Sequence, residues 1–250
     1  MPPLEVLYRD DDLIAIHKPS GLLVHRSQLD RHETRFAVQL LRDQIGRHVY
    51  PAHRLDRGTS GILLFALERD VARALGARFA AQQVTKRYLA VVRGHPPLQG
   101  TIDHPLRREH DDYEDRLAAA TADEVQAAVT HFRRLAVAEL PHAVDRYPSS
   151  RYALLELRPE TGRRHQIRRH LKHAAHPVIG DATHGKGRHN RLFARLFDNR
   201  RLLLACVELG FTHPVSGVPL RLQAAPADDF ARIIDALGWT PAVAAAEPAC

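Results

Sequence analysis

Apolar residues recur along this chain at two spacings, one typical of helices and one typical of strands. Intervals of three and four residues predict five helices, at 36–45, 70–82, 163–175, 192–197 and 228–237. Short apolar or alternating runs predict eight strands, at 6–8, 13–17, 62–67, 86–93, 129–140, 152–157, 202–209 and 220–223. The strands follow one another like hairpins, with helices at irregular intervals, which favours an α+β fold over a doubly wound one.

Alternation assigns the two faces of the fourth predicted strand. Tyr88, Ala90 and Val92 fall on one face, and Leu89 and Val91 fall on the other. Because both faces are largely apolar, we expect this strand to be covered on both sides of the sheet.

No linker-like stretch divides the chain, so we expect one domain over residues 1–240. Within it, the segment 96–128 is charged and poor in large apolar residues, and we interpret it as an excursion or a long hairpin. The Ala- and Pro-rich end, 241–250, is expected to be a disordered tail.

The composition is that of an ordinary globular protein, with 44% hydrophobic and 26% charged residues. No apolar run approaches the roughly 20 residues of a membrane span, and the first residues lack the basic and apolar regions of a signal peptide. There are two cysteines in the chain, fewer than a secreted framework would use. We therefore expect a cytoplasmic protein without membrane contact. We also expect it to be a monomer.

The charge balance indicates a polyanionic partner. Thirty-six Lys and Arg residues against twenty-nine Asp and Glu residues give a net charge of +7, and the isoelectric point is near 9.8. Such a surplus attracts polyanions, and nucleic acid is the commonest of these in a cytosol. Charge alone supports only nonspecific phosphate contacts.

Residues 53–61, which we call the Asp56 loop, are the stretch best suited to chemistry. Asp56 lies between Arg54 and Arg57, and two glycines in the loop allow backbone geometries that a side chain would forbid. A carboxylate between two cations, directly before an apolar strand, is typical of a placed acid. The alternative is that Asp56 bonds only the amides of its own loop, as Asp does in many turns.

This loop and three other parts of the chain carry short motifs. Residues 53–61 read H-R-L-D-R-x-T-S-G, residues 18–21 read K-P-x-G, and residues 86–88 read K-x-Y. Residues 161–170 and 176–181 read T-G-R-x-H-Q-I-R-x-H and H-P-x-x-G-D. In this order, the motifs resemble those of the RluA-type pseudouridine synthases, and the resemblance covers nearly the whole chain.

The resemblance implies an enzyme that isomerises uridine in RNA to pseudouridine. It implies a long, mostly antiparallel sheet with an RNA cleft across one face. The reaction exchanges bonds within one nucleotide, so no cofactor is expected, and the chain has no Gly-rich phosphate loop or dinucleotide fingerprint. Some members of the family carry a small amino-terminal RNA-binding domain, and we expect none here.

Three catalytic residues are implied by the same resemblance. Asp56 would act at the ribose, either by attacking the anomeric carbon or by removing a neighbouring ribose proton. Arg168 would pair with Asp56 and aim it, and the alternative is a helix-surface arginine. Tyr88 would lie against the uracil ring and help to move its C5 proton, and the alternative is plain core packing.

Other residues are expected to contact the RNA. A target base in folded RNA must leave its stack, and by family resemblance Arg54 would fill the space that the base vacates. The remaining candidates for RNA contact are His53, Arg57, Lys86, Arg163, Arg164, His165 and Arg169.

Histidines crowd one segment and raise the alternative of a zinc site. The spacing of His165, His170, His173 and His176 matches no common ligand pattern. We therefore predict no metal and interpret these histidines as part of a basic RNA surface.

Three short sequence strings, which we expect on the surface, favour a particular RNA target. Residues 24–27, 43–46 and 146–148 are similar to the TruC-type subgroup of the family, which modifies uridine 65 of tRNA. The same reaction on 23S ribosomal RNA or at another tRNA site is the alternative. Two other functions are a catalytically idle RNA-binding module, which would not need the complete catalytic set, and a different glycosyl enzyme acting on RNA.

Overall fold

Twelve strands and six helices make up the part of the chain that the computed structural model describes, residues 3–26, 33–109 and 124–246. The strands are β1 (Val6–Arg9), β2 (Leu13–Lys18), β3 (Tyr50–Pro51), β4 (Ser60–Ala66), β5 (Thr85–Arg93), β6 (Gln99–Asp103), β7 (Leu106–Arg107), β8 (Val125–Gln126), β9 (Val129–Leu140), β10 (Ser150–Pro159), β11 (Leu204–Thr212) and β12 (Pro219–Gln223). The helices are α1 (Ala37–Ile45), α2 (Arg69–Ala80), α3 (Gln166–His173), α4 (Gly187–Phe197), α5 (Asp228–Ala236) and α6 (Thr240–Ala246).

Ten of these strands form one mixed sheet. Its order is β1-β2-β4-β11-β5-β10-β9-β6, with β3 paired to β4 and β12 paired to β11. Every neighbouring pair in this sheet is antiparallel except β4 and β11, which are parallel. β7 and β8 pair separately. A mostly antiparallel sheet with flanking helices is an α+β fold, and this confirms the predicted fold class.

Apolar side chains cover both faces of the sheet. On β5, Tyr88, Ala90 and Val92 belong to one core, and Leu89 and Val91 belong to the other, as their alternation predicts. The first core includes residues of α1, α2 and α3, and the second includes residues of α4 and α5. Burial of one large apolar side chain contributes about 1.5–3 kcal/mol, so these two cores hold the sheet in register.

The five predicted helices are confirmed, and two of them begin elsewhere. α1 ends at Gly46, whose φ of 66° is a left-handed conformation that glycine adopts readily. α4 begins earlier than predicted, at Gly187. α3 begins only at Gln166, because His165 has a φ of 52° and the Gln166 side chain accepts a hydrogen bond from the Thr161 hydroxyl. Among the described residues, no helix has the length and apolar character needed to cross a membrane.

Regular structure occurs in the charged segment 96–128 and in part of the Ala- and Pro-rich end. Within 96–128, β6 pairs with β9 and β7 pairs with β8, which fits a hairpin-like excursion, and residues 110–123 lie outside the described part. The prediction of a disordered tail is wrong for 241–246, which lie in α6. Trp239 and Val243 pack on the second core and hold this helix. The remainder of the tail is outside the described residues.

The register of the sheet brings five residues from distant parts of the chain into one row. Gly61 of β4 pairs with Lys18 of β2 on one side and with Cys206 of β11 on the other. Cys206 pairs with Tyr88 of β5, and Tyr88 pairs with Leu157 of β10. Because the Asp56 loop runs directly into β4, this row places Tyr88 two strands away from the loop.

Gly61 is expected to tolerate no side chain. Its φ is 102°, and an added Cβ would lie 2.0 Å from the carbonyl oxygen of Cys206. Gly61→Ala should therefore lower the free energy of unfolding by at least about 2 kcal/mol, within the range for a strained backbone position. Urea denaturation measures this change.

Gly76 in α2 offers the matched control. No atom lies within 4 Å of a Cβ added there, and glycine weakens a helix relative to alanine. Gly76→Ala should raise the free energy of unfolding by roughly 0.5–1 kcal/mol. Equal effects of the two substitutions would contradict the close approach of β4 and β11.

Candidate active site

A cleft opens where the Asp56 loop, β5, the start of α3 and the β7–β8 pair meet. Ten of the eleven residues predicted for the site line this cleft: His53, Arg54, Asp56, Lys86, Tyr88, Arg163, Arg164, His165, Arg168 and Arg169. Arg57 is the predicted residue that does not line it. The fold therefore gathers in one place residues that the motifs scatter over more than a hundred positions.

Arg168 links the carboxylates of Asp56 and Asp181. Its Nη1 donates to Asp56 Oδ2 at 3.0 Å, its Nε to Asp181 Oδ2 at 2.7 Å, and its Nη2 to Asp181 Oδ1 at 2.8 Å. The predicted pairing of Arg168 with Asp56 is therefore present. Burial opposes the charge of Arg168, but the two carboxylates raise its pKa above the usual value, so it stays a cation. The planar guanidinium thus fixes the direction of Asp56, whose side chain is 19% exposed to the cleft.

Asp181 belongs to a matched motif, but the sequence indicated no role for it. Its Oδ1 also accepts the backbone N–H groups of Thr183 and His184, each at 2.9 Å. Burial raises the pKa of Asp181, but the hydrogen bonds from Arg168 and the two amides outweigh burial and lower it below its ordinary value. Asn190 of α4 donates to the Asp181 carbonyl at 2.9 Å. Asp181 is thus a fixed anion that anchors Arg168.

Tyr88 lines the cleft and is almost fully buried. Burial, and then the neighbouring Cys206 thiol, raise the pKa of Tyr88 well above 10. Burial likewise raises the pKa of Cys206 to about 12. Both groups are therefore protonated at neutral pH, and Tyr88 presents a neutral phenol to the cleft.

Lys18 is fully buried beneath the Asp56 loop. Its Nζ donates to the carbonyl oxygens of Pro19 at 3.0 Å, Leu22 at 2.7 Å and Arg57 at 3.2 Å. Burial lowers the pKa of Lys18 to about 7, against a smaller opposite effect of Asp56. Lys18 thus ties the amino-terminal turn to the loop, a role that the K-P-x-G match alone did not indicate.

His53 lies in the wall of the cleft and supports the Asp56 loop. Its ring stacks on Phe79 with centroids 5.0 Å apart, and its Nε2 accepts the backbone N–H of Leu64 at 3.1 Å. Burial lowers the pKa of His53 to about 4, so the ring is neutral. This geometry suits support of the loop more than the predicted RNA contact.

The two arginines that flank Asp56 point in different directions. Arg54 is exposed and lines the cleft. Arg57 donates through Nε to the carbonyl of Gly21 at 3.2 Å and forms an ion pair with Glu33. Arg57 therefore braces the turn after β2 and lies away from the cleft where RNA contact was expected.

Four cations line the side of the cleft near α3. Arg169 donates to the carbonyl of Arg107 at 2.9 Å, and Arg163 donates to the carbonyl of Ala127 at 3.1 Å. The Nζ of Lys86 donates to backbone carbonyls at 3.1 and 3.5 Å, and burial lowers its pKa below the ordinary value. Together with Arg164, these groups form what we call the basic rim of the cleft. The β7–β8 pair also contributes residues to the cleft wall.

His165, His184 and Glu109 gather beside Asp56, and the motifs indicated only the first of them. Nδ1 of His165 lies 3.1 Å from His184 Nε2 and 3.5 Å from the Glu109 carboxylate, and its Nε2 lies 4.0 Å from Asp56 Oδ1. These donor atoms could hold a metal ion. Arg164 and Arg169, however, lie 3.9 and 3.5 Å from the Glu109 carboxylate, and their positive charges oppose the binding of a metal cation there. The absence of a metal stays a prediction.

The histidines of α3 serve different purposes. His170 is fully buried, with Nδ1 3.0 Å from the Thr130 hydroxyl and Nε2 2.9 Å from the His104 carbonyl. The interpretation of His170 as a surface residue is therefore wrong, because these two contacts satisfy its ring nitrogens inside the protein. His173 is exposed and stacks on His104 with ring centroids 3.7 Å apart.

Known proteins share both the sequence and the fold that build this cleft. A family model described as RNA pseudouridylate synthase matches residues 12–173. A Vibrio parahaemolyticus protein named tRNA pseudouridine synthase C is 46% identical over 236 residues, which cover 94% of this chain and 96% of that protein. The chain belongs to the RNA pseudouridylate synthase family.

Two further relatives agree with this membership. A Pectobacterium carotovorum protein, also named tRNA pseudouridine synthase C, is 51% identical to this synthase over 94% of the chain, and the match spans 62% of that longer protein. The solved structure of Human RNA Pseudouridylate Synthase Domain Containing 4 superposes with a TM-score of 0.68 at 26% identity, covering 94% of this chain and 93% of the human one. The resemblance to pseudouridine synthases is confirmed, and the synthase is an enzyme that acts on RNA.

Lys18 is expected to make the stability of the synthase rise with pH. In the unfolded chain Lys18 keeps its proton up to a pKa of 10.5, whereas in the folded protein its pKa is about 7. Between these values the unfolded state binds more protons, so the free energy of unfolding should increase by up to about 1.4 kcal/mol per pH unit from this group.

Lys18→Met isolates this contribution. The stability difference between wild type and variant, measured by urea denaturation, should change with pH above about 7 and be constant below it. A difference that is constant between pH 7 and 10.5 would mean that folding does not lower the pKa of Lys18.

Proposed function

We propose that this synthase converts uridine to pseudouridine in tRNA, with uridine 65 as the target. Relatives that are 46% and 51% identical carry the name tRNA pseudouridine synthase C, which supports a tRNA substrate. The three surface strings 24–27, 43–46 and 146–148 support position 65. The observation that carries the reaction is a carboxylate, Asp56, which is open to the cleft and aimed by the buried Arg168.

Asp56 is the group that acts on the ribose in this proposal. Arg168 engages its Oδ2, and Oδ1 lies 4.0 Å from His165 Nε2, so Oδ1 is the oxygen that the bond to Arg168 leaves available. A carboxylate there can attack the anomeric carbon or remove the neighbouring ribose proton, and either route detaches uracil from the sugar. Both routes require one fixed direction of approach, which the link to Arg168 and Asp181 supplies.

Tyr88 is the proposed contact for the uracil ring. Its burial and its raised pKa support stacking and hydrogen-bond donation by a neutral phenol. The expectation that Tyr88 also helps to move the C5 proton stays a prediction.

The basic rim is the proposed contact for the RNA backbone. Its arginines are Arg163, Arg164 and Arg169, and Arg54 adds a further arginine to the cleft on the side of the Asp56 loop. Arginines can bond phosphates and stack on bases. The positive net charge of the chain adds long-range attraction for RNA that should weaken with salt.

Several expectations about the setting of the enzyme stay predictions. These are a single domain over 1–240, a monomeric state, a cytoplasmic location and activity without a cofactor. The last follows from the reaction, because an isomerisation within one nucleotide has no donor, acceptor or redox partner.

Activity on tRNA provides the test of this proposal. Purified protein, with a chelator and without added nucleotide, should form pseudouridine at position 65 in tRNA from cells that lack the gene. Asp56→Asn keeps the shape of the side chain but removes the carboxylate, so it should retain RNA binding and slow turnover at least about 100-fold. Tritium release from C5-labelled uridine measures the rate.

Three outcomes would contradict parts of the proposal. Near wild-type tritium release by Asp56→Asn would remove Asp56 from its role. Modification of 23S ribosomal RNA with tRNA left unchanged would overturn the target. Loss of wild-type activity in the chelator would revive the metal site.

Arg54 is expected to fill the space that a flipped uridine leaves. A planar guanidinium can recover part of the stacking that is lost when a base leaves a stem. Arg54→Ala should therefore lower kcat/KM on a structured stem by the equivalent of roughly 1–3 kcal/mol, the range for one stacking contact. On a short unstructured strand the loss should be much smaller. Equal losses on the two RNAs, with a lowered melting temperature, would mean that Arg54 only supports the loop.

A further inference from the structure

Helix α4 presents a basic face that the cleft does not use. Arg188, Arg191 and Arg195 follow one another at intervals of three and four residues, which places them within about 60° of one another around the helix. All three residues are exposed, while the apolar side of α4 packs on the second core. Lys186, directly before the helix, is exposed as well. Residues 182–197 thus carry four cations and no Asp or Glu.

Little of this charge is neutralised by nearby groups. Among the residues that the structure describes, the one carboxylate that pairs with a cation of this face is that of Asp145, which lies 3.7 Å from Arg188 Nη1. Asp145 also pairs with Arg93 at 3.4 Å. A carboxylate shared between two arginines leaves the face positive, and such a face attracts polyanions.

An exposed aromatic ring borders the basic face. Tyr147 is 57% exposed, and the guanidinium of Arg146 lies 4.9 Å from its ring centroid and donates to its hydroxyl at 2.8 Å. Tyr147 is two residues from Asp145, which contacts α4 through Arg188, so this turn and the helix share one surface. The α4 surface, as we call it, consists of Arg146, Tyr147, Lys186, Arg188, Arg191 and Arg195.

The α4 surface begins beside the cleft. His184 Nε2 lies 3.1 Å from Nδ1 of His165, which lines the cleft. Lys186 follows His184 by two residues, which span at most about 7 Å. A polyanion that occupies the cleft can therefore continue onto the α4 surface.

Strand β5 gives the distance between the two regions. Arg93 is five residues beyond the cleft-lining Tyr88, about 17 Å along the strand, and its Nε donates to His189 Nε2 of α4 at 3.1 Å. With a rise of about 3.4 Å per nucleotide, this distance equals about five base pairs of a stem. An RNA must therefore extend well beyond the target uridine to contact the α4 surface.

We propose that the α4 surface binds a second part of the same RNA, several base pairs away from the target uridine. This inference rests on the proposed function, because it takes the occupant of the α4 surface from the cleft beside it. The arginines of α4 contact phosphate oxygens, which a guanidinium can bond in pairs. Tyr147 stacks on an unpaired base of that part of the RNA.

The chemistry of the α4 surface favours RNA over a membrane or an acidic protein. A helix that lies on a membrane needs a free apolar side, but that side of α4 packs on the second core. An acidic protein would satisfy the arginines alone. RNA offers phosphates for the arginines and a planar base for the exposed ring of Tyr147.

Binding of two RNAs provides the test. One is a full-length tRNA transcript, and the other is a hairpin that ends about three base pairs beyond the target, short of the roughly 17 Å to α4. The triple variant Arg188→Gln, Arg191→Gln, Arg195→Gln keeps residues that favour helix. It should raise the Kd for the tRNA at least about tenfold at low salt and lower the salt slope of log Kd by about 2 to 3, one for each lost phosphate contact. The hairpin should bind the variant and the wild type equally.

A matched triple variant controls for net charge. Arg42→Gln, Arg73→Gln, Arg232→Gln removes the same charge from exposed positions on α1, α2 and α5. Its smaller effect should be the same on the two RNAs, because only long-range attraction changes.

Tyr147 has its own pair of variants. Tyr147→Ala should weaken binding of the tRNA by between about fivefold and a hundredfold, the range for losing one stacked base, and leave the hairpin unaffected. Tyr147→Phe keeps the ring and should bind the tRNA like the wild type.

The outcomes separate the proposal from the function on which it rests. An unchanged Kd of the α4 variant for the tRNA would overturn the proposal, and so would equal weakening with the tRNA and the hairpin. Unchanged tRNA binding with lost binding to phosphatidylserine vesicles or to a polyglutamate peptide would assign the α4 surface to that other partner. A wild-type protein that binds the tRNA through the α4 surface but forms no pseudouridine would instead refute the proposed function.

Discussion

The close approach of β4 to β11 at Gly61 is the constraint on which the cleft depends. The Cys206 carbonyl occupies the space that a Cβ at residue 61 would need, so the parallel pairing of these strands requires glycine. With that pairing in place, the register sets Lys18 and Tyr88 in the same row as Gly61. Lys18 then bonds the Asp56 loop from below, and Tyr88 faces the cleft beside it. One residue without a side chain thus determines which groups of β2 and β5 reach the loop.

Electrostatic interactions anchor the site, and Arg168 divides its hydrogen bonds unequally between two carboxylates. Burying an ion costs several kcal/mol unless hydrogen bonds satisfy it, and Asp181 has bonds to both oxygens, from Arg168 and from two backbone amides. Two of the three bonds from Arg168 go to Asp181, and the third goes to Asp56. Arg168 therefore keeps its position when a ligand contacts Asp56. A partly exposed carboxylate can be held in one direction because a second carboxylate is buried behind it.

Sequence signals that are local predicted most of the fold and half of this arrangement. Alternation alone assigned the faces of β5, because that signal lies within one segment. The pairing of Asp56 with Arg168 was implied by the family resemblance of the two motifs that carry them. Glu109 and His184 escaped prediction because the packing of the β7–β8 pair and of the turn after Asp181 brings them to the start of α3. No spacing within a single segment records such a contact. For the same reason, the packing of α6 on the second core was not foreseen.

Burial, more than charge pairing, sets the protonation of four groups in and behind the cleft. It raises the pKa values of Tyr88 and Cys206 and lowers those of His165 and His184, so all four groups are neutral at pH 7. The fixed charges are the linked carboxylates with Arg168 and the arginines of the rim. A nucleotide in the proposed reaction has the same division, with a charged backbone and a neutral base. The backbone would meet the basic rim, while the flipped base would meet neutral donors and acceptors. Such a site can shift protons on the base without creating an unpaired buried charge.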